Sequence, residues 1–235
     1  MGDGAARTAA DHGPCVLLRL RKVAKRYGER VVLRGIDVEV LSGSILLVVG
    51  RNGAGKSTLL RIMAGLARPE PGEVEHLVDP GRTAFLGHRP FLYPKLSADE
   101  NLAFWGRMHG RNLDRTARLE LLTRVGLADF AHEPAGVFSR GMTQRLDLAR
   151  VFAQSPRLFF LDEPASGLDA ASAALLRREM RQARDAGAGA VMVSHDVAGD
   201  LPLADRVLHL EGTRAVFLGP VRDFDAGAFA GGRAC

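Results

Sequence analysis

Between Gly50 and Thr58 the chain reads GRNGAGKST, directly after the apolar run Ile45-Leu46-Leu47-Val48-Val49. These residue types at this spacing suit the cradling of a polyphosphate. Gly53 and Gly55 let the backbone turn its N–H groups inward around phosphate oxygens. Lys56 reaches the β- and γ-phosphates, and the Ser57 hydroxyl is a ligand for Mg²⁺. A helix starting near Lys56 aims its positive end at the same anion. Gly50, Asn52, Ala54 and Thr58 belong to the same loop, so the whole stretch is the candidate nucleotide site.

A second group is Asp162-Glu163, which follows the short apolar run Leu158-Phe159-Phe160-Leu161. An acidic residue at the C-terminal end of a strand beside a phosphate loop can hold Mg²⁺, directly or through water. Asp162 therefore joins Ser57 as a candidate metal ligand. The neighbouring Glu163 carboxylate can polarise a water for attack on a γ-phosphate. A third group, Ser139-Arg140-Gly141-Met142-Thr143-Gln144-Arg145, opens with a serine and a glycine at a helix start, which makes a second anion site. It lies 23 residues before Asp162.

The elements that must carry these groups are legible in outline. Leu18, Leu20 and Val23 interleave with Arg19, Arg21 and Lys22, which predicts an edge strand with one wet face. A turn at Gly28-Glu29-Arg30 leads to Val31-Val32-Leu33. Ile36, Val38 and Val40 then alternate with Asp37 and Glu39 as another half-exposed strand. The helix after the phosphate loop places Leu59, Leu60, Met63 and Leu66 against a sheet. Ser97-Ala98-Asp99-Glu100 is a capping box opening a helix through Met108. A second helix is expected from about Leu113 to Val125, with Leu119, Leu122 and Val125 on one face. A third runs from near Arg140 to Ser155-Pro156. The continuous apolar run at 158–161 predicts a buried parallel strand. A helix over 170–186, a strand at 190–193 and a hairpin around Glu211-Gly212-Thr213 complete the order. The tail from Asp223, rich in Gly and Ala, is expected to fray.

Composition bounds the class. The chain has 235 residues, 46% of them hydrophobic, enough for one sizeable core. The net charge is +5, and 28 of the 32 basic residues are arginines, scattered with no long run, so no nucleic-acid partner is expected. Cys15 and Cys235 form no disulfide or zinc pattern. Residues 1–14 read as a disordered leader rather than a signal peptide. No stretch approaches the roughly 20 apolar residues of a membrane span.

Taken in order, the phosphate loop, the LSGGQ-like helix start and the strand ending in Asp162-Glu163 resemble the nucleotide-binding subunits of ABC ATPases across residues 15–225. The resemblance implies an α/β fold: a P-loop NTPase with a RecA-like core, an N-terminal antiparallel β subdomain and an inserted α-helical subdomain. It divides residues 15–235, a single ABC ATPase domain, into a nucleotide-binding core (15–90 and 155–225) and a helical subdomain (91–154). Tyr27, 23 residues before Gly50, matches the aromatic that stacks on adenine. Ser166-Gly167-Leu168-Asp169 looks like the D-loop, and Val193-Ser194-His195 like the switch histidine that joins Glu163 in catalysis. The implied cofactors are ATP and Mg²⁺. The implied assembly is a head-to-tail homodimer in which Ser139 and Gly141 of one chain face the γ-phosphate held by Lys56 of the other, with Asp169 of the D-loop a further candidate nucleotide-binding residue. The resemblance also implies that the homodimer works at the cytoplasmic face of a membrane with integral transporter subunits.

Two departures stand out. Arg140 and Met142 replace a glycine and the glutamine of the signature, and His88 stands where a glutamine usually senses Mg²⁺. The segments GHRPFLYPKLSADENLAFW and FSRGMTQRLDLAR resemble the CcmA ATPases of cytochrome c maturation. That narrower resemblance implies haem export with CcmB- and CcmC-like partners. A generic exporter ATPase for lipid, drug or polysaccharide, and a soluble ATPase of iron–sulfur assembly, share most of the same motifs. A small-molecule kinase has no use for the second anion site or for His195.

Overall fold

The computed structural model describes residues 13–87 and 89–231. In chain order the elements are β1 (Val16–Tyr27), β2 (Arg30–Leu41), β3 (Ile45–Gly50), α1 (Lys56–Met63), β4 (Glu73–His76), β5 (Thr83–Leu86), α2 (Ala98–Met108), α3 (Arg115–Arg124), α4 (Arg140–Ala153), β6 (Leu158–Asp162), α5 (Ala170–Asp185), β7 (Gly189–Val193), α6 (Val197–Asp200), β8 (Arg206–Glu211), β9 (Arg214–Pro220) and α7 (Ala226–Gly231). The expected leader falls almost entirely outside the described residues, as do His88 and Cys235.

The central sheet has six strands in the order β5-β6-β7-β3-β8-β9. All neighbours are parallel except the closing hairpin of β8 and β9. Successive side chains on a strand point to opposite faces, and both faces here are covered. Ile45, Leu47, Val49, Phe159, Leu161 and Met192 join one apolar cluster with α2, α4 and α5. Leu46, Val48, Phe160, Val191 and Val193 join another with α1, β1 and β2. This is why β3, β6 and β7 read as unbroken apolar runs. Each fully buried leucine adds roughly 2 kcal/mol to the fold.

A second, antiparallel sheet has the order β2-β1-β4. β1 is therefore its central strand, not the expected edge. Its other neighbour, β4 (Glu-Val-Glu-His), carries one apolar residue and gave no strand signal. Charge holds it instead: Arg19 donates to Glu75 Oε2 at 3.0 Å and to Glu39 Oε1 at 2.6 Å, bridging both flanking strands. The two segments expected on either side of Gly35 are one strand, β2, whose irregularity is absorbed as register shifts against β1.

The helix expectations hold with shorter bounds. Ser97 and Glu100 make both bonds of the capping box on α2. α3 starts later than expected because Asp114 caps it, accepting from Ala117 N at 2.8 Å. α1 stops at Met63, so Leu66 lies beyond it and is 60% exposed. Leu119 is likewise exposed, while Leu122 and Val125 are buried. The tail does not simply fray: Phe229 in α7 stacks edge-on against His209 at 5.1 Å. No helix among the described residues is long and apolar enough to cross a membrane.

Candidate functional site

The phosphate loop leaves β3 at Gly50 and enters α1 at Lys56. Gly55 caps α1 with φ +98°, and a Cβ there would sit 2.9 Å from Leu33 Cδ2. Only glycine suits that backbone and that approach. Lys56 is 5% exposed. Its ammonium donates to the carbonyls of Gly50 at 2.8 Å and Arg51 at 3.2 Å, closing the loop on itself. Burial lowers the Lys56 pKa, and the nearby Glu163 and Asp162 charges oppose that shift.

β6 runs beside β7, which separates it from β3. Asp162, at the end of β6, is 6% exposed and accepts from Ser57 Oγ at 2.9 Å. Glu163 follows with φ +54°, a left-handed conformation costly for a side-chain-bearing residue, fixed by its N–H bond to Val193 O at 3.0 Å. His195 comes from the end of β7, and its Nε2 stands 2.5 Å from Glu163 Oε1.

His195 has a built support that sequence reading did not find. The preceding Ser194 donates to Asp200 Oδ2 at 2.6 Å, and Arg177 on α5 donates to Asp200 Oδ1 at 2.9 Å and to Asp196 Oδ2 at 3.2 Å. No sequence signal marks Asp200 or Arg177, because their partners come together only when α5 packs on β7.

Tyr27, Arg30, Asn52, Gly53, Gly55, Lys56, Ser57, Thr58, Glu163 and His195 line one cleft of about 550 Å³. Tyr27 is 54% exposed at its mouth, with Lys25 Nζ 5.3 Å from its ring centre. Arg30, at the β1–β2 turn, is the cation that the sequence reading omitted. Gly50 and Ala54 shape the loop from beneath: Gly50 supplies the carbonyl that Lys56 binds, and Ala54 packs against the second core cluster. A chain of donors (Lys56, Arg30 and the loop amides) fits a polyphosphate. The Ser57 hydroxyl beside the Asp162 carboxylate is a pair of oxygen donors of the kind that would suit Mg²⁺.

Ser139, Gly141 and Asp169 do not line this cleft. Ser139 caps α4, accepting from Met142 N at 3.3 Å, and Gly141 has nothing within 4 Å of where a Cβ would lie. Asp169 caps α5, and its pKa is lowered chiefly by the bond from Ser172 N, 2.7 Å away. The segment 164–169 and the start of α4 meet each other instead. Arg140 Nη2 lies 3.4 Å from Ser166 O, and Gln144 Nε2 donates to Pro164 O at 2.9 Å. His88 lies outside the described residues.

A mostly parallel sheet with a phosphate loop after β3, an acidic pair after β6 and a histidine after β7 defines a P-loop nucleotide-hydrolysing domain. A family model described as ABC transporter matches residues 33–166, more than half of the chain, and the protein belongs to that family. The aliphatic sulfonates import ATP-binding protein SsuB 1 of Mesorhizobium japonicum is 40% identical over 202 residues, spanning 82% of this chain and 74% of the relative. SsuB of Ralstonia nicotianae is 41% identical over 212 residues, spanning 84% and 70%. Among solved structures, an ATP-binding subunit of an ABC transporter shares 28% identity at a TM-score of 0.79, over 88% of this chain and 91% of that one. A nucleotide-free ATP-binding cassette from an ABC transporter, 19% identical, has a TM-score of 0.74 over 88% and 92% and speaks to the fold. The protein is accordingly an ATP-hydrolysing subunit of an ABC transporter. The two curated relatives are named as importers, and they lend no support to the haem-export resemblance.

Proposed function

We propose that the chain binds and hydrolyses ATP as one half of a head-to-tail homodimer, on the cytoplasmic face of membrane-embedded transporter subunits. One observation carries the dimer: the groups suited to nucleotide fall into two sets, and only one of them lines the cleft. Tyr27 stacks on adenine. Lys56 releases the carbonyls of Gly50 and Arg51 to meet the β- and γ-phosphates, and the amides of Asn52 to Thr58 wrap the same oxygens. Ser57 and Asp162 would hold Mg²⁺, which would supply positive charge against the phosphates. Glu163 accepts a proton from the attacking water, while His195 orients Glu163 and contacts the γ-phosphate. Ser139, Gly141 and Asp169 reach the nucleotide of the opposite chain. Glu163→Gln tests this: with ATP it is expected to run as a dimer in sedimentation, and a chain that stays monomeric at saturating ATP would refute the arrangement.

The partner-facing surface includes Phe91, 49% exposed, and Tyr93, 46% exposed, with Trp105 behind them. For the pathway, the segments at 87–105 and 138–150 support haem export for cytochrome c maturation, with CcmB- and CcmC-like partners. A second reading, uptake of a small organic anion, rests on the sulfonate-import relatives. A strain carrying only Glu163→Gln separates them. Loss of haem-stained c-type cytochromes, with apocytochrome still exported, supports the first. Loss of growth on an alkanesulfonate as sole sulfur source supports the second. Neither loss removes both pathways and leaves the ATPase intact.

A further inference from the structure

α4 buries Leu146, Leu148, Ala149, Val151 and Ala153, as an amphipathic helix should, but it also buries a carboxylate and a guanidinium. The side chains of Asp147 and Arg150 are 2% and 4% exposed. Stability gives no reason for charges there, since apolar residues of similar size usually serve a core as well or better. What the pair does that apolar residues cannot is hold backbone. Arg150 Nε donates to Asp147 Oδ1 at 2.5 Å, Arg150 Nη2 donates to Phe85 O at 3.1 Å, and Phe91 N donates to Asp147 Oδ1 at 3.3 Å. One pair therefore fastens the end of β5 and the chain at Phe91 to the same turn of α4.

The pair is roofed by the exposed aromatic surface. The Arg150 guanidinium lies 5.6 Å from the Phe91 ring centre and 5.3 Å from that of Trp105. Tyr93 packs edge-on against Phe104 at 4.6 Å, and its backbone is tied to α2 through the fully buried Asn101, which accepts from Tyr93 N at 2.8 Å. At the start of α4, about 9–16 Å away at 1.5 Å per residue, stand Ser139 and Gly141. Between the two ends, Gln144 grips Pro164 O in the loop that follows Glu163.

We propose that Asp147 and Arg150 are positioning residues: they couple the backbone at Phe85 and Phe91, beneath the aromatic surface, to the placement of Ser139 and Gly141 on the same helix. This rests on the dimer reading above. A partner pressing on Phe91 and Tyr93 displaces the two backbone hydrogen bonds, and α4 carries that displacement rigidly to the residues that face the opposite nucleotide.

The test uses the full chain in the Glu163→Gln background, with ATP-driven dimerisation read by sedimentation and the phosphate loop read separately by ADP binding. The double change Asp147→Leu with Arg150→Met removes both charges together, so no unpaired ion is left to unfold the core. It is expected to remain folded, with some loss of thermal stability from the two backbone groups that lose these partners, and to bind ADP within about twofold of the parent. The dimer dissociation constant is expected to rise at least about tenfold, roughly 1.4 kcal/mol. Arg150→Lys keeps the charge but cannot hold Asp147 and Phe85 O at once, and it too is expected to weaken the dimer. If the double variant does not fold, Arg150→Lys decides alone. Dimerisation at the parent level in either folded variant overturns the inference. Failure of Glu163→Gln itself to dimerise would instead remove the dimer reading, and this inference with it.

Discussion

His195 Nε2 stands 2.5 Å from Glu163 Oε1, although the two residues come from the ends of different strands. Glu163 is held in a left-handed conformation by Val193 O, two residues before His195, so the contact is built into the pairing of β6 with β7. A carboxylate can only accept, so Nε2 carries the proton in this contact. The imidazole thus aims the carboxylate into the cleft.

Glu163→Gln keeps the shape of this contact but removes the acceptor for a proton. Turnover is expected to fall about 10²–10⁴-fold, the span of general-base catalysis, with ATP affinity retained. His195→Ala leaves the carboxylate present but removes one contact that orients it, so a smaller loss in kcat is expected. Steady-state hydrolysis alongside equilibrium ATP binding checks both. A Glu163→Gln protein that turns over at the parent rate would end its role as base.

Lys56 carries the pH dependence. Its ammonium is desolvated, so its folded pKa lies below the ordinary lysine value of 10.5. For a base with a depressed folded pKa, burying the charged form costs stability below that pKa, and the cost fades as pH rises towards 10.5. Nucleotide binding runs the other way, because a polyphosphate favours the charged form. ATP affinity is therefore expected to decline with rising pH before 10.5 is reached. Fluorescence titration across the alkaline range checks this, and a flat profile up to 10.5 would contradict it. Lys56→Ala should abolish tight binding at every pH.

Tyr27 offers its ring at the mouth of the cleft with half its surface exposed. Tyr27→Ala should weaken ATP binding by about 1–3 kcal/mol, the range for base–aromatic stacking, and Tyr27→Phe should leave it close to the parent. A comparison of ATP with inorganic triphosphate separates stacking from loop damage: the alanine variant should bind triphosphate normally.

The parts that were legible in the sequence obey local rules. The phosphate loop, the Ser97 capping box and the buried strands β3 and β6 each announce themselves within a few residues, because glycine, capping and continuous apolarity act locally. Sequence reading missed what depends on a distant partner. β4 became a strand through Arg19, and it turned the supposed edge β1 into the middle of its sheet. Asp200, Arg177, Asp147 and Arg150 look like ordinary helix polar residues until burial pairs them. Ser139, Gly141 and Asp169 lie outside the cleft of their own chain, and the family resemblance alone signalled that Ser139 and Gly141 would face a nucleotide held elsewhere.

Gly167 and Arg140 supply a prediction that separates backbone strain from steric clash. Gly167 has φ +73°, and a Cβ there would lie 2.6 Å from Arg140 Cζ and 2.7 Å from its Nη2. The obstructing atoms are the end of a flexible, exposed side chain, which can swing away and give up its 3.4 Å approach to Ser166 O. The backbone cannot yield so easily, since the left-handed region costs an L-residue about 1–2 kcal/mol. Gly167→Ala should therefore lower the free energy of unfolding by about that amount in urea. Arg140→Ala alone should stay within about 0.5 kcal/mol, as exposed substitutions do. The double variant removes the clash but not the strain, so it should remain about as unstable as Gly167→Ala. Recovery of parental stability in the double variant would show that the guanidinium, not the φ angle, fixes glycine at this position.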